Sequence, residues 1–103
     1  MTGSKEQWSI WLAVVYFEDN PNVFKERPVV ILDDHNAFCL SLKVTSQKKD
    51  SRYHVELKQW KLAGLDKPSW VDVSKKLMIQ ENNLIKRIGK LDMEDILVIM
   101  RRI

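Results

Sequence analysis

The stretch KVTSQKKDSRYHVEL, residues 43–57, gathers side chains that could address an anion. Thr45, Ser46 and Gln47 supply two hydroxyls and an amide, and Lys48, Lys49 and Arg52 follow in a basic loop. Neutral donors backed by cations are what phosphate oxygens require. The same Thr-Ser-Gln run also reads as the polar end of a strand before a turn, and both readings are open on local grounds. Further basic residues cluster at Lys75-Lys76 and at Lys86, Arg87 and Lys90. Each such cluster alone reads as a solvated face.

Other chemistries lack their residues. Two histidines and one cysteine, His35, His54 and Cys39, are scattered without metal-ligand spacing, so neither metal nor cofactor is expected. There is no phosphate-binding glycine loop and no nucleophile elbow. Cys39 alternates onto a strand face and reads as inert. Trp11 and Trp70 read as core, whereas Trp60, after Lys58-Gln59, suits a surface role. The net charge of +3 permits a polyanionic partner without demanding one. A chain of 103 residues fits a single domain, residues 1–103. No apolar run reaches membrane-spanning length, and MTGSKEQWSIW does not read as a signal peptide. With the lone cysteine, a cytoplasmic address is expected.

The elements that must position these groups are mainly strands. IWLAVVYF, residues 10–17, is β-branched and aromatic and stops at a turn. Pro28, which has no amide hydrogen, is expected to open the next strand, Val29-Val30-Ile31-Leu32. From Ala37 to Ser46, Phe38, Leu40, Leu42 and Val44 alternate with Cys39, Ser41, Lys43 and Thr45. Residues 52–57, 70–73 and 77–79 read as three more short strands. Asn82 or Asn83 is expected to cap a short helical stretch ending at Gly89, and Asp92 a final helix. Leu91, Met93, Ile96, Leu97, Ile99, Met100 and Ile103 form its apolar stripe, expected to cover the sheet, with Arg101 and Arg102 complementing the helix dipole. The fold class is mainly β with a C-terminal helix, and a small, partly open barrel fits strands this short.

IWLAVVYF, RPVVIL, VTSQ, HVEL, GLDKPSWVDV and IGKL, in that order, resemble the PemK/MazF family of toxins from type II toxin–antitoxin pairs. The resemblance runs over roughly residues 9–102. It implies an SH3-like or CcdB-like barrel, a homodimer, a cognate antitoxin protein as partner, and metal-independent cleavage of single-stranded RNA, often mRNA.

By the family pattern, Arg27 converges with Thr45 and Ser46 on the scissile phosphate. Its guanidinium would meet the phosphorane oxygens. Asp72 falls where some members carry a functional acid, as base or as a partner that orients Arg27. Gln47, Lys48, Lys49, Arg52, His54 and Lys75 are the expected RNA contacts. The chain also departs from the pattern. Ser9 and Asn22 stand where many members have acids, which leaves the general base open; Glu18 or Glu26 could compensate. That departure keeps alive a non-catalytic alternative on the same barrel, such as a gyrase-directed CcdB-like toxin or a member that binds RNA or antitoxin without cutting.

Overall fold

The computed structural model describes residues 5–17, 19–48 and 50–103. Six strands and one helix follow in order: β1 (Ser9–Tyr16), β2 (Phe24–Asp34), β3 (Phe38–Thr45), β4 (His54–Glu56), β5 (Trp70–Gln80), β6 (Leu84–Lys90) and α1 (Met93–Met100). The strands form one antiparallel sheet in the order β4-β5-β3-β2-β1-β6. It does not close, so β4 and β6 remain edges.

The sheet is apolar on both faces along β2. Val30 and Leu32 enter the larger core cluster, with Ile10, Leu42, Val44, Val55, Val71 and, from α1, Ile96 and Ile99. Val29 and Ile31 point the other way, into a smaller cluster with Ala13, Cys39 and Ile79. Burial on both faces is why this stretch is a continuous apolar run rather than an alternating one.

Three expectations need correction. The strands expected at 70–73 and 77–79 are one, β5; Ser74, Lys75 and Lys76 between them are exposed yet remain in the strand. The helical stretch expected to end at Gly89 is instead a short 3-10 turn, Glu81–Asn83, followed by β6. Gly89 is there because the 57–69 loop crosses it. A Cβ at Gly89 would stand 2.0 Å from the Ala63 carbonyl oxygen. Finally, β2 begins at Phe24, so Pro28 lies inside it. Pro28 is matched with Leu12 of β1, while the β2–β3 ladder starts only at Val29.

Asp92 caps α1 as expected, accepting the Glu94 amide at 3.0 Å. The apolar stripe divides. Leu91, Ile96 and Ile99 are buried, but Met93, Leu97, Met100 and Ile103 face solvent. Arg101 and Arg102 lie beyond the last turn of the helix rather than within it. Asp95, only 1% exposed, ties α1 to the loop before β5: its two carboxylate oxygens accept the Lys58 and Gln59 amides, each at 2.9 Å. Trp60, expected at the surface, is half-buried against the larger core. Trp11 packs on the smaller cluster and donates to the Ser9 hydroxyl at 3.0 Å.

Candidate active site

Arg27 and Thr45 meet where two strands part. The β2–β3 ladder begins at Val29 opposite Lys43. Continuing that register by two residues sets Arg27 opposite Thr45, just beyond the end of the paired ladder. There the strands leave a cleft of about 290 Å³, bordered by Arg27, Thr45, Ser46 and Gln47 on one side and by Leu65 and Ser69 from the 57–69 loop on the other. Thr45 accepts the Gln47 amide at 3.2 Å, which starts the turn and leaves its hydroxyl hydrogen free to donate. The ladder and the turn place the two groups together although eighteen residues separate them in sequence.

Arg27 also borders a second, larger cleft of about 600 Å³, with Lys43, Asp72, Ser74 and Lys75. Lys43 and His54 are both register partners of Asp72, so three polar residues cross β3, β5 and β4 in one row. The Asp72 carboxylate accepts the Ser74 hydroxyl at 2.6 Å and the Ser74 amide at 2.9 Å. Its other oxygen lies 3.8 Å from His54 Nε2. Burial pushes the Asp72 carboxyl upward, but the Ser74 hydrogen bonds, His54 and Lys43 outweigh it and hold its pKa below the usual 3.8. His54 Nδ1 is buried and has no hydrogen-bond partner among the described residues.

The sequence-predicted residues are therefore not all in one place. Arg27, Thr45, Ser46 and Gln47 share the smaller cleft; Arg27, Asp72 and Lys75 share the larger. Lys48 lies exposed just past Gln47. Lys49 and Glu18 lie outside the described residues. Arg52 is elsewhere, in a separate cleft with Arg101, Arg102 and His54. Lys43 was missed, although its alternation with Cys39, Ser41 and Thr45, away from the larger core, is visible in the sequence. Asp66 was missed too; it and Glu26 border the smaller cleft, whereas Asn22 and Ser9 do not. Ser9 is fully buried, its hydroxyl bonded to the Glu6 carbonyl. Cys39 is also buried; loss of solvation, then the charge of Asp34, pushes its thiol up to about 11, far from a reactive thiolate at neutral pH.

A sequence model of the PemK-like, MazF-like toxins of type II toxin–antitoxin systems matches residues 6–103. The chain belongs to that family. A type II toxin is one half of a pair, so an antitoxin is its partner. No curated protein matches it by sequence. Among solved structures, this toxin is similar to an endoribonuclease from Mycobacterial species, with a TM-score of 0.76 at 10% identity over 99% of this chain and 89% of that one. It is also similar to the Mycobacterium tuberculosis toxin MazF-mt6, with a TM-score of 0.69 at 20% identity over 89% and 90%. MazE-MazF from Deinococcus radiodurans gives a TM-score of 0.68 at 13% identity over 98% and 92%. These likenesses establish the open sheet with its C-terminal helix as the MazF fold. Among the described residues no helix is long and apolar enough to cross a membrane.

Proposed function

We propose that this toxin is a metal-independent endoribonuclease that cuts single-stranded RNA, mRNA above all, using the RNA's own 2′-hydroxyl. The carrying observation is the juxtaposition of Arg27 with Thr45 and Ser46 in one cleft where β2 and β3 part. The 2′-oxygen attacks the neighbouring phosphorus while the bond from phosphorus to the 5′-oxygen breaks. The products are a 2′,3′-cyclic phosphate and a free 5′-hydroxyl. Because the nucleophile belongs to the substrate, the protein's tasks are to hold the phosphate, to stabilise charge on its oxygens, and to move two protons.

Arg27 takes the charge, with its forked donors on two phosphate oxygens. Thr45 and Ser46 add neutral donors from a strand end fixed by the ladder. Asp72, ionised at neutral pH and held by Ser74, removes the 2′-hydroxyl proton, and the departing 5′-oxygen takes its proton from water in the open cleft. Its depressed pKa makes it a weak base, so proton removal accompanies attack rather than preceding it. Lys43 and Lys75 on the larger cleft, Gln47 on the smaller and Lys48 just past it draw in the RNA backbone. Several neighbours carry endoribonuclease or MazF in their names, which supports this activity.

The same reading makes the toxin a cytoplasmic homodimer. The exposed row Met93, Leu97, Met100 and Ile103 on and just beyond α1 is the apolar surface a second copy would bury. The activity is tested by incubating the purified toxin with a long single-stranded RNA in EDTA beside Arg27→Ala. Fragments ending in a 2′,3′-cyclic phosphate, lost in the variant, are expected. Equal cleavage by both proteins would remove Arg27 from the mechanism.

A further inference from the structure

Arg52 and the adjacent pair Arg101-Arg102, distant from it in sequence, meet on a cleft outside the Arg27 site. Arg52, in the turn before β4, and Arg101 and Arg102, just past α1, border a single open cleft of about 610 Å³. Arg102 Nη1 donates to the Arg52 carbonyl at 2.9 Å, which locks the end of α1 onto the turn. Arg52 Nη2 donates to the Tyr53 hydroxyl at 2.9 Å and its guanidinium stacks 5.0 Å from that ring's centre. Tyr53 nonetheless remains 46% exposed.

None of the three guanidinium groups is in an ion pair among the described residues, although Asp50 lies on the rim. By contrast, the neighbouring cations Arg87 and Lys90 share one acid, Glu6, at 2.9 and 2.7 Å. Un-neutralised like charges held on one cleft are unfavourable unless an anion joins them. His54 borders this cleft and reaches Asp72, 3.8 Å away, which borders the larger Arg27 cleft. The two clefts are thus separated by a single pair of side chains.

We propose that Arg52, Arg101 and Arg102 form a second phosphate-binding cleft, which holds the single-stranded RNA beyond the scissile bond while Tyr53 stacks on an unpaired base. This rests on the reading of the toxin as RNA-cleaving. Forked guanidinium donors fit phosphates, and an exposed ring among them fits a strand whose phosphates and bases alternate. An acidic peptide would satisfy the charge but has no use for the ring.

The test compares the parent with two double variants, Arg101→Ala/Arg102→Ala and Arg101→Lys/Arg102→Lys. The probe is a 2′-O-methyl RNA of about ten nucleotides, the span of a single-strand groove, whose blocked 2′-oxygens prevent cleavage. Binding is read by fluorescence anisotropy over a salt series. Loss of two phosphate contacts should make the log–log salt slope shallower by about 1.4 in the alanine variant. The lysine variant, which keeps the charge, should retain the parent's slope. Cleavage of a dinucleotide, whose one phosphate is the scissile one, should be unchanged in both variants, while KM for long RNA rises in the alanine variant. An unchanged slope in the alanine variant would overturn the cleft. So would a loss confined to poly-glutamate binding, which would assign the cleft to an acidic protein segment. A parent that binds RNA with the predicted slope difference but never cuts would overturn the activity and leave this cleft standing.

Discussion

Replacing Asp95 with alanine should loosen the toxin far more than its place on a short helix suggests. The carboxylate is buried, and both its oxygens accept backbone amides from the 57–69 loop at 2.9 Å. A hydrogen bond to a charged group contributes about 1.5–3 kcal/mol. Two such bonds would give about 3–6 kcal/mol. Lys58 is exposed and Gln59 half-buried, so water can reach part of what the carboxylate leaves. The lower end, about 3 kcal/mol, is therefore expected, which for a chain this size lowers Tm by about 12 °C or more. Glu94→Ala is the matched control. It removes only the exposed bond to Gln59 Nε2, at 3.0 Å, and should change stability by less than about 0.5 kcal/mol. Urea unfolding followed by circular dichroism measures both. The loop carries Leu65 and Ser69 to the wall of the Arg27 cleft, so cleavage should fall as well. A loss below about 1 kcal/mol for Asp95→Ala, or one no larger than that of Glu94→Ala, would refute this account of how helix and loop are joined.

Gly89→Ala should be worse still, costing at least about 3 kcal/mol, because its Cβ would stand 2.0 Å from a backbone oxygen that no rotamer change can move; failure to recover folded protein, or a cooperative Tm far below the parent's, is the expected readout. Acid should destabilise the toxin through Asp34 and Asp72, whose carboxyls sit below the ordinary 3.8 in the folded state, Asp34 mainly through the Lys5 amide. A depressed folded pKa contributes stability above the unfolded value and loses it as pH falls through the folded one. Unfolding free energy should therefore drop below about pH 4, and less steeply in Asp34→Asn/Asp72→Asn. Leu97→Glu on the exposed row of α1 should leave the fold intact while shifting the proposed dimer to monomer by light scattering.

Much of the fold was legible because burial left clear patterns. β1 and β2 are runs of β-branched and aromatic residues, and β3 sends Leu42 and Val44 into the larger cluster and Cys39 into the smaller. β6 was not legible, because it is an edge strand. Of its seven residues none is fully buried, so LIKRIGK shows no period, while the asparagines before it and Gly89 imitate a helix start and stop. Gly89 answers a tertiary approach by Ala63 that no local rule sees. β5 read as two strands because Ser74, Lys75 and Lys76 are exposed, and the register shift between Ser41 and Lys43 moves the pairing there. The meeting of Arg27 with Thr45 depends on the β2–β3 register, which sequence alone does not specify; only the family pattern pointed to it. Arg52 was grouped with Lys48 and Lys49 because they are neighbours in the chain. The turn before β4 carries it to the other side of His54, where Arg101 and Arg102 wait.

The central claim is that Arg27, Thr45 and Ser46 form a site rather than the polar end of a strand. The most direct measurement is the end chemistry of RNA fragments made by the purified toxin in EDTA, with Arg27→Ala beside it and unfolding curves to show that both are folded. The account predicts 2′,3′-cyclic phosphate ends from the parent and none from the variant. Intact RNA with the parent across varied sequences, or identical fragments from a folded Arg27→Ala, would contradict it.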